Sequence, residues 1–564
     1  MIEVKLKSYI TEALAASGAE GVAVILERPD DLGNGDFATN VAMAGAKKAG
    51  KNPRMFADEI VLALMNKQDE DIAGVEAAGP GFINFRLSKT YFQNALTEAL
   101  ALGTAFGENN ALSGKKTIVE YTDPNPFKEF HIGHLMSNTI GESVARLTEA
   151  SNADTKRACY QGDVGMHVAK AVWGMKKSER SQQGNPSELI AWLSQSYALG
   201  AMGFEKDEII KKEVTEINKK IYQRSDPEID HLYDLGRKIS LAYFETIYAR
   251  LGTKFDHYFF ESETAGFGKE IVEKHPLIFE TSDGAIVYKG DESMGLHTRV
   301  FITKEGLPTY EAKELGLAKI KYDATRYDIS IIITGNEVND YFKVLLDAMG
   351  KVFPELAAKT EHYSHGMLRL TTGKMSSRTG DVITTESLIN ETKEKALAKI
   401  RGEEFTEKEK DEIAEQVAIG AIKYSILRQA AGKDIIFDVE QSLSFEGDSG
   451  PYLQYTHART RSLLLKAEGK RADPAQLEGD EIRPLHKYLL RFPEVVLRAQ
   501  KEREPHYVAT YLIELAREFN SFYGNTVVLD GAADEAYKLA LVTLVSQVLH
   551  KGLWLLGIPA PVKM

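Results

Sequence analysis

Two short motifs carry the residues of this chain that are best suited to chemistry. His131 and His134 belong to the string HIGH, and Lys374 opens the string KMSS. Two imidazoles three residues apart lie on one face of a helix, where both can donate hydrogen bonds to the same polyphosphate. A lysine adds a point charge that can stabilise a leaving phosphate group. The two motifs together predict that the chain handles nucleotide phosphates.

An isolated HxGH string has other interpretations. Nearby backbone carbonyls can satisfy both histidines, and for the motif alone this interpretation is as good as phosphate binding. Metal binding is a weaker alternative, because no cysteine or carboxylate cluster is spaced to complete a site. The second motif downstream favours phosphate binding.

The residues around each motif predict the elements that position it. Thr117 to Asp123 alternates and is β-branched, which is typical of a strand, and apolar residues recur at helical spacing after HIGH. HIGH therefore opens a helix, whose first turn offers unpaired N–H groups and a positive dipole end to a phosphate. Lys374 follows a predicted strand in a loop of small and polar residues, which can bring the lysine onto a leaving pyrophosphate.

The chain resembles the class I aminoacyl-tRNA synthetases and, within them, the arginyl-tRNA synthetases. An N-terminal stretch that includes ERPDDLGNGDFATNVAM is similar to the extra domain of that family, so the resemblance covers nearly the whole chain. The segments that carry it most clearly are EYTDPNPFKEFHIGHLMSNTIGES (Glu120 to Ser143), TYEAKELG (Thr309 to Gly316), KMSSRTGDV (Lys374 to Val382), EGDSGPYLQYTHAR (Glu446 to Arg459) and LLGIPAPVKM (Leu555 to Met564).

The resemblance implies an activity and a set of nucleotide-binding residues. Arginine would react with ATP to give arginyl-adenylate and pyrophosphate, and the arginyl group would pass to the 3′ end of tRNA(Arg), with the adenylate formed only when tRNA is bound. Mg²⁺ would accompany the ATP, with no protein metal ligand and no zinc. Lys128 would contact the α-phosphate, and the ATP-binding residues would be His131, Gly133, His134, Lys374, Met375, Ser376 and Ser377.

An arginine pocket needs carboxylates, because the guanidinium is a permanent planar cation with five donors. Tyr310 and Glu314 are four residues apart on a predicted helix and share one face. The resemblance implies that they lie against the guanidinium, where many relatives have Asp in place of Glu314. It also implies that Glu120 and Asn125 hold the arginine amino group and other polar groups.

Two further segments have open interpretations. Glu337 and Asp340 follow an apolar strand and either face the substrate or start and cap the next helix. Gly162 and Asp163 lie at another strand-to-helix crossing, where they either approach the amino acid or ribose or form a turn.

Alternating strand and helix patterns predict a multidomain α/β protein. A Rossmann-like catalytic domain with a parallel, doubly wound sheet would span residues 113–385, with a helical insertion at about 185–251. A small α+β domain would span residues 1–112, and an all-α C-terminal part would comprise a connecting region at 386–440 and an anticodon-binding domain at 441–564. The predicted strands of the parallel sheet are Thr117 to Asp123, Lys156 to Gln161, Arg299 to Thr303, Asp328 to Thr334 and His362 to Leu370.

The residues that would contact tRNA are the hardest to identify from the sequence. Arg459 and Arg461, near Tyr452, Tyr455 and His457, mix cations with stacking surfaces that suit single-stranded bases and phosphates, although the tyrosines are as easily core residues. Phe37 and Asn40 of GDFATN are further candidates for base contacts.

Composition fits an ordinary globular protein and restricts its class. The single cysteine, Cys159, excludes a disulfide framework and a Cys-rich zinc site, and it fits a reducing cytosol. No apolar signal core or membrane span is predicted, so we expect a cytoplasmic protein. A net charge of −13 is unusual for a protein that binds tRNA, but a basic face can coexist with an acidic remainder. A monomer is the family expectation.

Three alternatives remain open at this stage: another class I synthetase, a nucleotidyltransferase acting on a metabolite, and a catalytically silent tRNA-binding relative. A cysteinyl enzyme would need a thiolate-rich zinc site, which one cysteine cannot form. The long helical C-terminal part is not explained by a small nucleotidyltransferase. The intact His131, His134 and Lys374 argue against a silent relative.

Overall fold

The computed structural model describes residues 2–29, 31–178, 184–371, 383–400, 405–476 and 482–564. The chain forms two compact units. The first comprises Met1–Phe106, Arg459–Pro493 and Glu514–Leu549, and the second comprises Gly107–Ala458, Glu494–Ile513 and His550–Met564.

A small sheet and four helices form the N-terminal part of the first unit. The sheet is antiparallel, and its central strand is the last of the three in sequence. Apolar residues recur at helical spacing on the helices and at every second position on the strands, so one face of each element packs into a common core that includes Leu6, Phe56 and Phe85. The elements are α1 (Ile2–Ala16), β1 (Phe37–Thr39), α2 (Val41–Ala49), α3 (Pro53–Met65), β2 (Ile72–Ala78), β3 (Phe82–Leu87) and α4 (Lys89–Leu102).

The second unit contains the remaining strands. They are β4 (Lys116–Glu120), β5 (Asp154–Gln161), β6 (His257–Phe260), β7 (Glu280–Ser282), β8 (Ala285–Tyr288), β9 (Arg299–Ile302), β10 (Ile329–Gly335), β11 (Thr360–His365), β12 (Leu368–Leu370) and β13 (Ile435–Phe437).

The helices up to the end of the parallel sheet include three consecutive long ones between residues 186 and 251, the segment predicted to be helical. They are α5 (Ile132–Ala150), α6 (Met166–Lys177), α7 (Pro186–Lys206), α8 (Glu208–Gln223), α9 (Pro227–Leu251), α10 (Glu261–Glu273), α11 (Tyr310–Thr325), α12 (Asn339–Val352) and α13 (Pro354–Ala358).

After Thr384 the described chain is helical except for β13, as predicted. The helices are α14 (Thr385–Lys399), α15 (Glu407–Leu427), α16 (Val439–Ser442), α17 (Gly450–Lys466), α18 (Pro484–Leu489), α19 (Phe492–Glu502), α20 (His506–Asn525) and α21 (Glu535–Leu555). None of them, nor any earlier helix in the described ranges, is both long and apolar enough to cross a membrane.

A five-stranded parallel sheet organises the second unit, which confirms the predicted fold class. Its strand order is β11-β10-β4-β5-β6, and every neighbouring pair is parallel. The chain runs from β4 outward in one direction and then returns to β10 on the other side. The order therefore reverses between β4 and β10, which is where ligands bind in open α/β sheets.

Two predicted strands differ from the structure, and one strand of the parallel sheet was not predicted. The segment predicted at Arg299 to Thr303 is a strand, β9, but it pairs antiparallel with β8 in a separate sheet. The strand predicted at His362 to Leu370 is two strands, because at Gly366 the chain passes against the backbone of Lys433 and β12 then pairs with β13. The edge strand β6 was not predicted; four residues that lead directly into a helix give too short a pattern.

Candidate active site

HIGH caps helix α5 in the structure. His131 is the N-cap residue, and its Nδ1 accepts a hydrogen bond from the N–H of Gly133 at 3.1 Å. The Nδ1 of His134 accepts from the N–H of His131 at 3.4 Å. The two rings stack with centroids 3.6 Å apart. A side chain at Gly133 would press on the His131 ring, so the glycine leaves the space that this stack needs.

Both imidazoles are neutral hydrogen-bond donors at neutral pH. Burial and the nearby Lys128 charge lower the pKa of His131 to about 4. Burial, with the charges of His131 and Lys128, lowers the pKa of His134 well below its ordinary value. Because Nδ1 accepts in each ring, the remaining proton is on Nε2. Each ring can therefore donate one N–H to a ligand oxygen.

A cavity of about 470 Å³ opens beside this stack, at the place where the strand order reverses. Its walls come from the turns after β4 and β10, the first turn of α5 and the segment after β11. The residues that line it are Thr122, Asp123, Asn125, His131, Ile132, Gly133, His134, Met136, Ser137, Ile333, Thr334, Gly335, Glu337, His365, Gly366, Met367, Leu368 and Ile383.

Lys374, Met375, Ser376 and Ser377 lie outside the described residues. The described segments on either side reach the same cavity, through Leu368 before and Ile383 after them. Thr384 pairs with His131 in an antiparallel bridge, and the N–H of Thr385 donates to the Phe130 carbonyl at 2.8 Å. The described segment that follows KMSS is thus held against the HIGH turn.

The loop between β4 and α5 has a strained backbone. Thr122, Asp123 and Phe127 have φ values of 82°, 44° and 68°, a region that costs non-glycine residues of order 1–3 kcal/mol each. Thr122 is held there because its N–H donates to Ser137 Oγ at 3.0 Å and its Oγ1 accepts from Asn138 at 3.0 Å. Such strain is typical of functional loops.

Lys128 lies half-buried in this loop. Its Nζ is 4.3 Å from the ring centroid of Tyr197 on α7. Burial lowers the pKa of Lys128. Its charge also lowers the pKa of His131 and of His134, so the ammonium lies near the stacked rings.

Acidic side chains cluster on and around helix α11, and we call this cluster the acidic pocket. Lys321 Nζ donates to Glu120 Oε2 at 2.8 Å, and both side chains are 2% exposed. Lys313 Nζ donates to Glu261 Oε2 at 2.6 Å, and this pair is also buried. Asn125 Oδ1, which lines the cavity, and Glu261 Oε1 lie 2.4 Å and 3.2 Å from the same Cβ position built on Gly162, so these acidic residues adjoin the cavity.

Glu314 is the unpaired carboxylate of this pocket. It is half-buried and accepts no hydrogen bond from a described residue. Burial, followed by the charges of Glu120 and Asp123, raises the pKa of Glu314 well above its ordinary value. Burial and the charge of Glu120 also raise the pKa of Asp123. A cation entering the pocket would favour the ionised forms of both.

The other residues that were predicted to bind arginine differ in how exposed they are. Asn125 lines the cavity, whereas Glu120 is buried and forms an ion pair with Lys321. Tyr310 is 59% exposed at the start of α11, one turn before Glu314, with its ring centroid 5.2 Å from Lys313 Nζ.

The structure gives different answers for the loop residues that could either face the substrate or only shape the backbone. Asp163 is fully buried and accepts from Tyr233 at 2.9 Å and from the Ser262 hydroxyl at 2.8 Å, so it holds the fold together. Glu337 lines the cavity, while Asp340 is exposed and pairs with Lys343 at 2.9 Å.

The residues predicted to contact tRNA lie in the first unit. Phe37 is 2% exposed in the core, a position that does not fit the predicted contact with a base. Asn40 is exposed at the N-cap of α2. On α17, Arg461 is exposed, and Arg459 bonds Asn520 and lies 5.2 Å above the Tyr523 ring.

The same helix, α17, carries the neighbouring aromatic residues, which lie in the second unit. His457 is 2% exposed and contacts the Pro561 carbonyl at 2.9 Å, so it is a core residue. Tyr452 is half-buried, whereas Tyr455 is 37% exposed.

The sequence interpretation missed Glu261, Lys313 and Lys321. Both lysines flank Glu314 on α11 and are buried where a solvated charge is the ordinary expectation. A lysine at a core-facing helical position is the one signal that could have identified them. Glu261 directly follows β6, the strand that was also missed.

Comparison with known proteins agrees with this architecture. Residues 95–439 match the family described as tRNA synthetases class I (R), catalytic domain. Residues 4–87 match the arginyl tRNA synthetase N terminal domain, and residues 453–564 match the DALR anticodon binding domain.

Relatives that match over nearly the whole chain are arginine–tRNA ligases. The arginine–tRNA ligase of Oenococcus oeni is 30% identical over 555 residues, covering 96% of this chain and 95% of that protein. The arginine–tRNA ligase of Thermococcus kodakarensis is 31% identical over 646 residues, covering 100% and 99%. The structure of Thermus thermophilus arginyl-tRNA synthetase has the same fold, with a TM-score of 0.81 at 24% identity and full coverage of both chains. This chain therefore belongs to the arginyl-tRNA synthetases of class I.

Proposed function

We propose that this chain is an arginine–tRNA ligase. The arginine carboxylate attacks the α-phosphate of ATP, which forms arginyl-adenylate and releases pyrophosphate. The terminal ribose hydroxyl of tRNA(Arg) then attacks the activated carbonyl and AMP leaves. No protein nucleophile is needed, so catalysis depends on positioning and charge stabilisation.

The observation that carries this proposal is the acidic pocket beside the phosphate cavity. No described residue bonds either carboxylate oxygen of Glu314, which suits the two parallel N–H donors of a guanidinium. Asp123 and Asn125 link that pocket to the HIGH cavity, so one molecule of arginine can reach both. A neutral amino acid cannot form this charge-assisted pair with Glu314, so it would bind more weakly than arginine.

The residues of the cavity have complementary roles in this proposal. His131 and His134 donate from Nε2 to phosphate oxygens, and the backbone N–H groups of the α5 first turn support them. Lys128 contacts the α-phosphate, and Lys374, with Met375, Ser376 and Ser377, binds the leaving pyrophosphate. Tyr310 covers the guanidinium, and Glu120 supports the pocket through Lys321. The Mg²⁺ that accompanies ATP is held by phosphate oxygens and water.

The remaining parts of the chain would bind tRNA(Arg). Residues 1–112 form an additional tRNA-contacting domain, 113–385 the catalytic domain, 386–440 a stem-contacting region and 441–564 the anticodon-binding domain. Arg459, Arg461 and Asn40 contact the RNA. The enzyme acts in the cytoplasm as a monomer.

The test is amino-acid-dependent exchange between ATP and pyrophosphate, run with and without tRNA(Arg), followed by tRNA charging. We expect arginine to drive both reactions and glutamate or cysteine to drive neither. A matched variant, Lys374→Met, should lose exchange while it keeps arginine binding. Exchange driven by another amino acid, or by none, would refute the proposal.

A further inference from the structure

Tyr121 lies directly before the strained residues of the loop that lines the cavity. It precedes Thr122, is fully buried, and donates its hydroxyl to Glu142 Oε2 on α5 at 2.5 Å. Its ring fills the space beside Gly141, where an added Cβ would lie only 2.2 Å from Tyr121 Cγ. Burial, followed by the charge of Glu142, raises the pKa of Tyr121 well above its ordinary value, so the hydroxyl keeps its proton. One hydrogen bond and one close contact therefore fix Tyr121 against α5.

Glu142 is an anion that two arginines hold in place. It is 2% exposed, and it accepts from Arg146 Nε at 2.7 Å and from Arg157 Nε at 3.0 Å. Burial disfavours its charge, but Arg146 and Arg157 outweigh that effect and lower the pKa of Glu142. Arg157 is itself bonded to Glu149 at 2.6 Å. Because each member of this network has a partner, Tyr121 meets an acceptor whose position is fixed.

Arg146 also binds the end of the last helix, α21. Its Nη1 donates to the carbonyl of Trp554 at 2.8 Å, and Ser143 Oγ donates to the carbonyl of Leu555 at 2.8 Å. The last carbonyls of a helix lack partners in a following turn and form the negative end of its dipole, so a guanidinium and a hydroxyl suit them. The second half of α5 is thus bonded to the end of α21.

The residues that follow α21 are held in the same way. Lys423 Nζ on α15 donates to the carbonyl of Gly557 at 2.8 Å, and Gln454 Nε2 on α17 donates to the carbonyl of Pro559 at 2.9 Å. Lys423 also donates to the carbonyl of Leu251 at 2.6 Å. The end of α21 therefore has a defined position, from which Arg146 can hold Glu142.

These contacts form an unbroken chain from the end of α21 to the active-site loop. It runs from the Trp554 carbonyl through Arg146 and Glu142 to Tyr121. The left-handed backbone that begins at Thr122 persists only where the surrounding structure determines it closely. Two side chains nearer the start of α5 bond Thr122 directly, so the chain gives the loop a second attachment.

We infer that Glu142 and Arg146 are positioning residues for the HIGH site, which hold Tyr121, and with it the strained loop, in a fixed position relative to α5 and the end of α21. Neither residue lines the cavity, so the end of α21 contributes to catalysis through them without contacting a substrate. The kinetic part of this inference rests on the proposed function. The structural part, which concerns the order of the loop, does not.

The first variant is Tyr121→Phe, which removes the hydroxyl and keeps the ring beside Gly141. We expect kcat for arginine-dependent exchange to fall about tenfold or more, with the KM for ATP changed less than about threefold, because a small displacement of the loop misaligns reacting groups that still bind. Rates are measured well below the denaturation midpoint, so that lost stability alone cannot lower them. An unchanged kcat would overturn the inference, whatever happens to the midpoint.

Hydrogen–deuterium exchange of residues 121–130 tests the same link without any substrate. In Tyr121→Phe and in Arg146→Gln, the amides of this loop should exchange at least about threefold faster than in the unmodified protein. Unchanged protection in both variants would overturn the inference. If the proposed function failed, the unmodified protein would show no arginine-dependent exchange of pyrophosphate, whereas the result on the amides would stand.

A double variant tests whether these residues act through one chain. If they do, Tyr121→Phe combined with Arg146→Gln should lose no more kcat than the more affected single variant, whereas independent effects would multiply and would overturn the inference. Should Arg146→Gln not fold, Ser143→Ala replaces it, because that change removes only one bond to the end of α21. Tyr288→Phe is the matched control: this buried tyrosine in β8 also donates to a carboxylate, that of Asp347, and loss of its hydroxyl should leave kcat and the loop amides unchanged.

Discussion

Glu314 is the residue at which charge recognition is most directly tested. Removing its charge in Glu314→Gln should raise the KM for arginine or lower kcat, by at least about tenfold, because a charge-assisted pair becomes a neutral hydrogen bond. The KM for ATP should change little, since Glu314 is not among the residues that line the phosphate cavity. Steady-state exchange kinetics with each substrate varied in turn make the measurement.

The control for this variant is on the same helix. Asp323 is exposed near the end of α11, and Asp323→Asn should leave both KM values unchanged. Unaltered arginine kinetics in Glu314→Gln would mean that this carboxylate points away from the substrate.

The raised pKa values of Glu314 and Asp123 predict a pH dependence of arginine binding. Burial and neighbouring carboxylates favour the protonated forms in the free protein, whereas a bound guanidinium favours the ionised forms. Binding must then release protons, so arginine affinity should rise with pH up to the free-protein pKa and level off above it.

Calorimetric titrations of arginine between pH 5.5 and 8 measure this linkage. Repeating them in buffers of different ionisation enthalpy counts the protons released. Glu314→Gln should flatten the rise, because one of the two titrating groups is removed. An affinity that falls as pH increases would contradict the assignment.

Individual residues were predictable where a motif fixed both residue type and local structure. HIGH caps a helix at a strand end, as its neighbours indicated, because that geometry depends on a few adjacent residues. The partner of Glu120 was not predictable, since Lys321 lies 201 residues away and reaches it only through the pairing of β4 with β10 and the packing of α11. Glu261 was missed because it directly follows β6, a strand too short to give a periodic pattern.

At the level of elements, α7 supports the HIGH loop from the insertion. Ser194 Oγ accepts from the N–H of Glu129 at 3.1 Å, and the Tyr197 ring lies beneath Lys128. Helices α6 and α7 approach closely through glycines, because a Cβ at Gly200 would collide with the carbonyl of Lys170, and one at Gly174 with that of Ser196. The position of α7 therefore depends on glycines, which allow the two helix backbones to come this close.

Replacing one of these glycines should separate the two helices. Gly200→Ala should lower the denaturation midpoint, with a loss of about 1–3 kcal/mol from overpacking, and should lower kcat because Tyr197 moves away from Lys128. Thermal denaturation and exchange kinetics measure the two effects. Gly266→Ala is the control: this helical glycine has no atom within 4 Å of its added Cβ, so alanine should be neutral or slightly stabilising. Equal effects of both variants would refute the role of the close contact.

The elements were predicted better than their pairing. β9 has the β-branched and aromatic residues of a strand, but composition cannot say which neighbour it pairs with, and it joins an antiparallel sheet. The predicted strand that includes β11 and β12 has a continuous pattern, and only the close approach of Gly366 to the backbone of Lys433 divides it. Tertiary contacts of this kind leave no periodic signal in the sequence.

At the scale of the whole molecule, a net charge of −13 must be reconciled with a polyanionic partner. Binding then depends on local cations that displace counterions from the phosphates, and this term weakens as salt increases. We expect the affinity for tRNA(Arg) to fall steeply with ionic strength. In a plot of the logarithm of the association constant against the logarithm of the salt concentration, each contacted phosphate should contribute a slope of roughly −0.7 to −0.9.

Arg461 allows this expectation to be tested at one position. It is exposed on α17, and Arg461→Gln should reduce the magnitude of the slope by about one if its guanidinium contacts a phosphate. Fluorescence titrations of labelled tRNA at several salt concentrations give the slope. Arg326 is exposed at the end of α11 and pairs with Asp323, so Arg326→Gln should leave the slope unchanged although it alters the net charge equally. If both variants shift the slope by the same amount, the overall charge governs tRNA binding and the local contact at Arg461 does not.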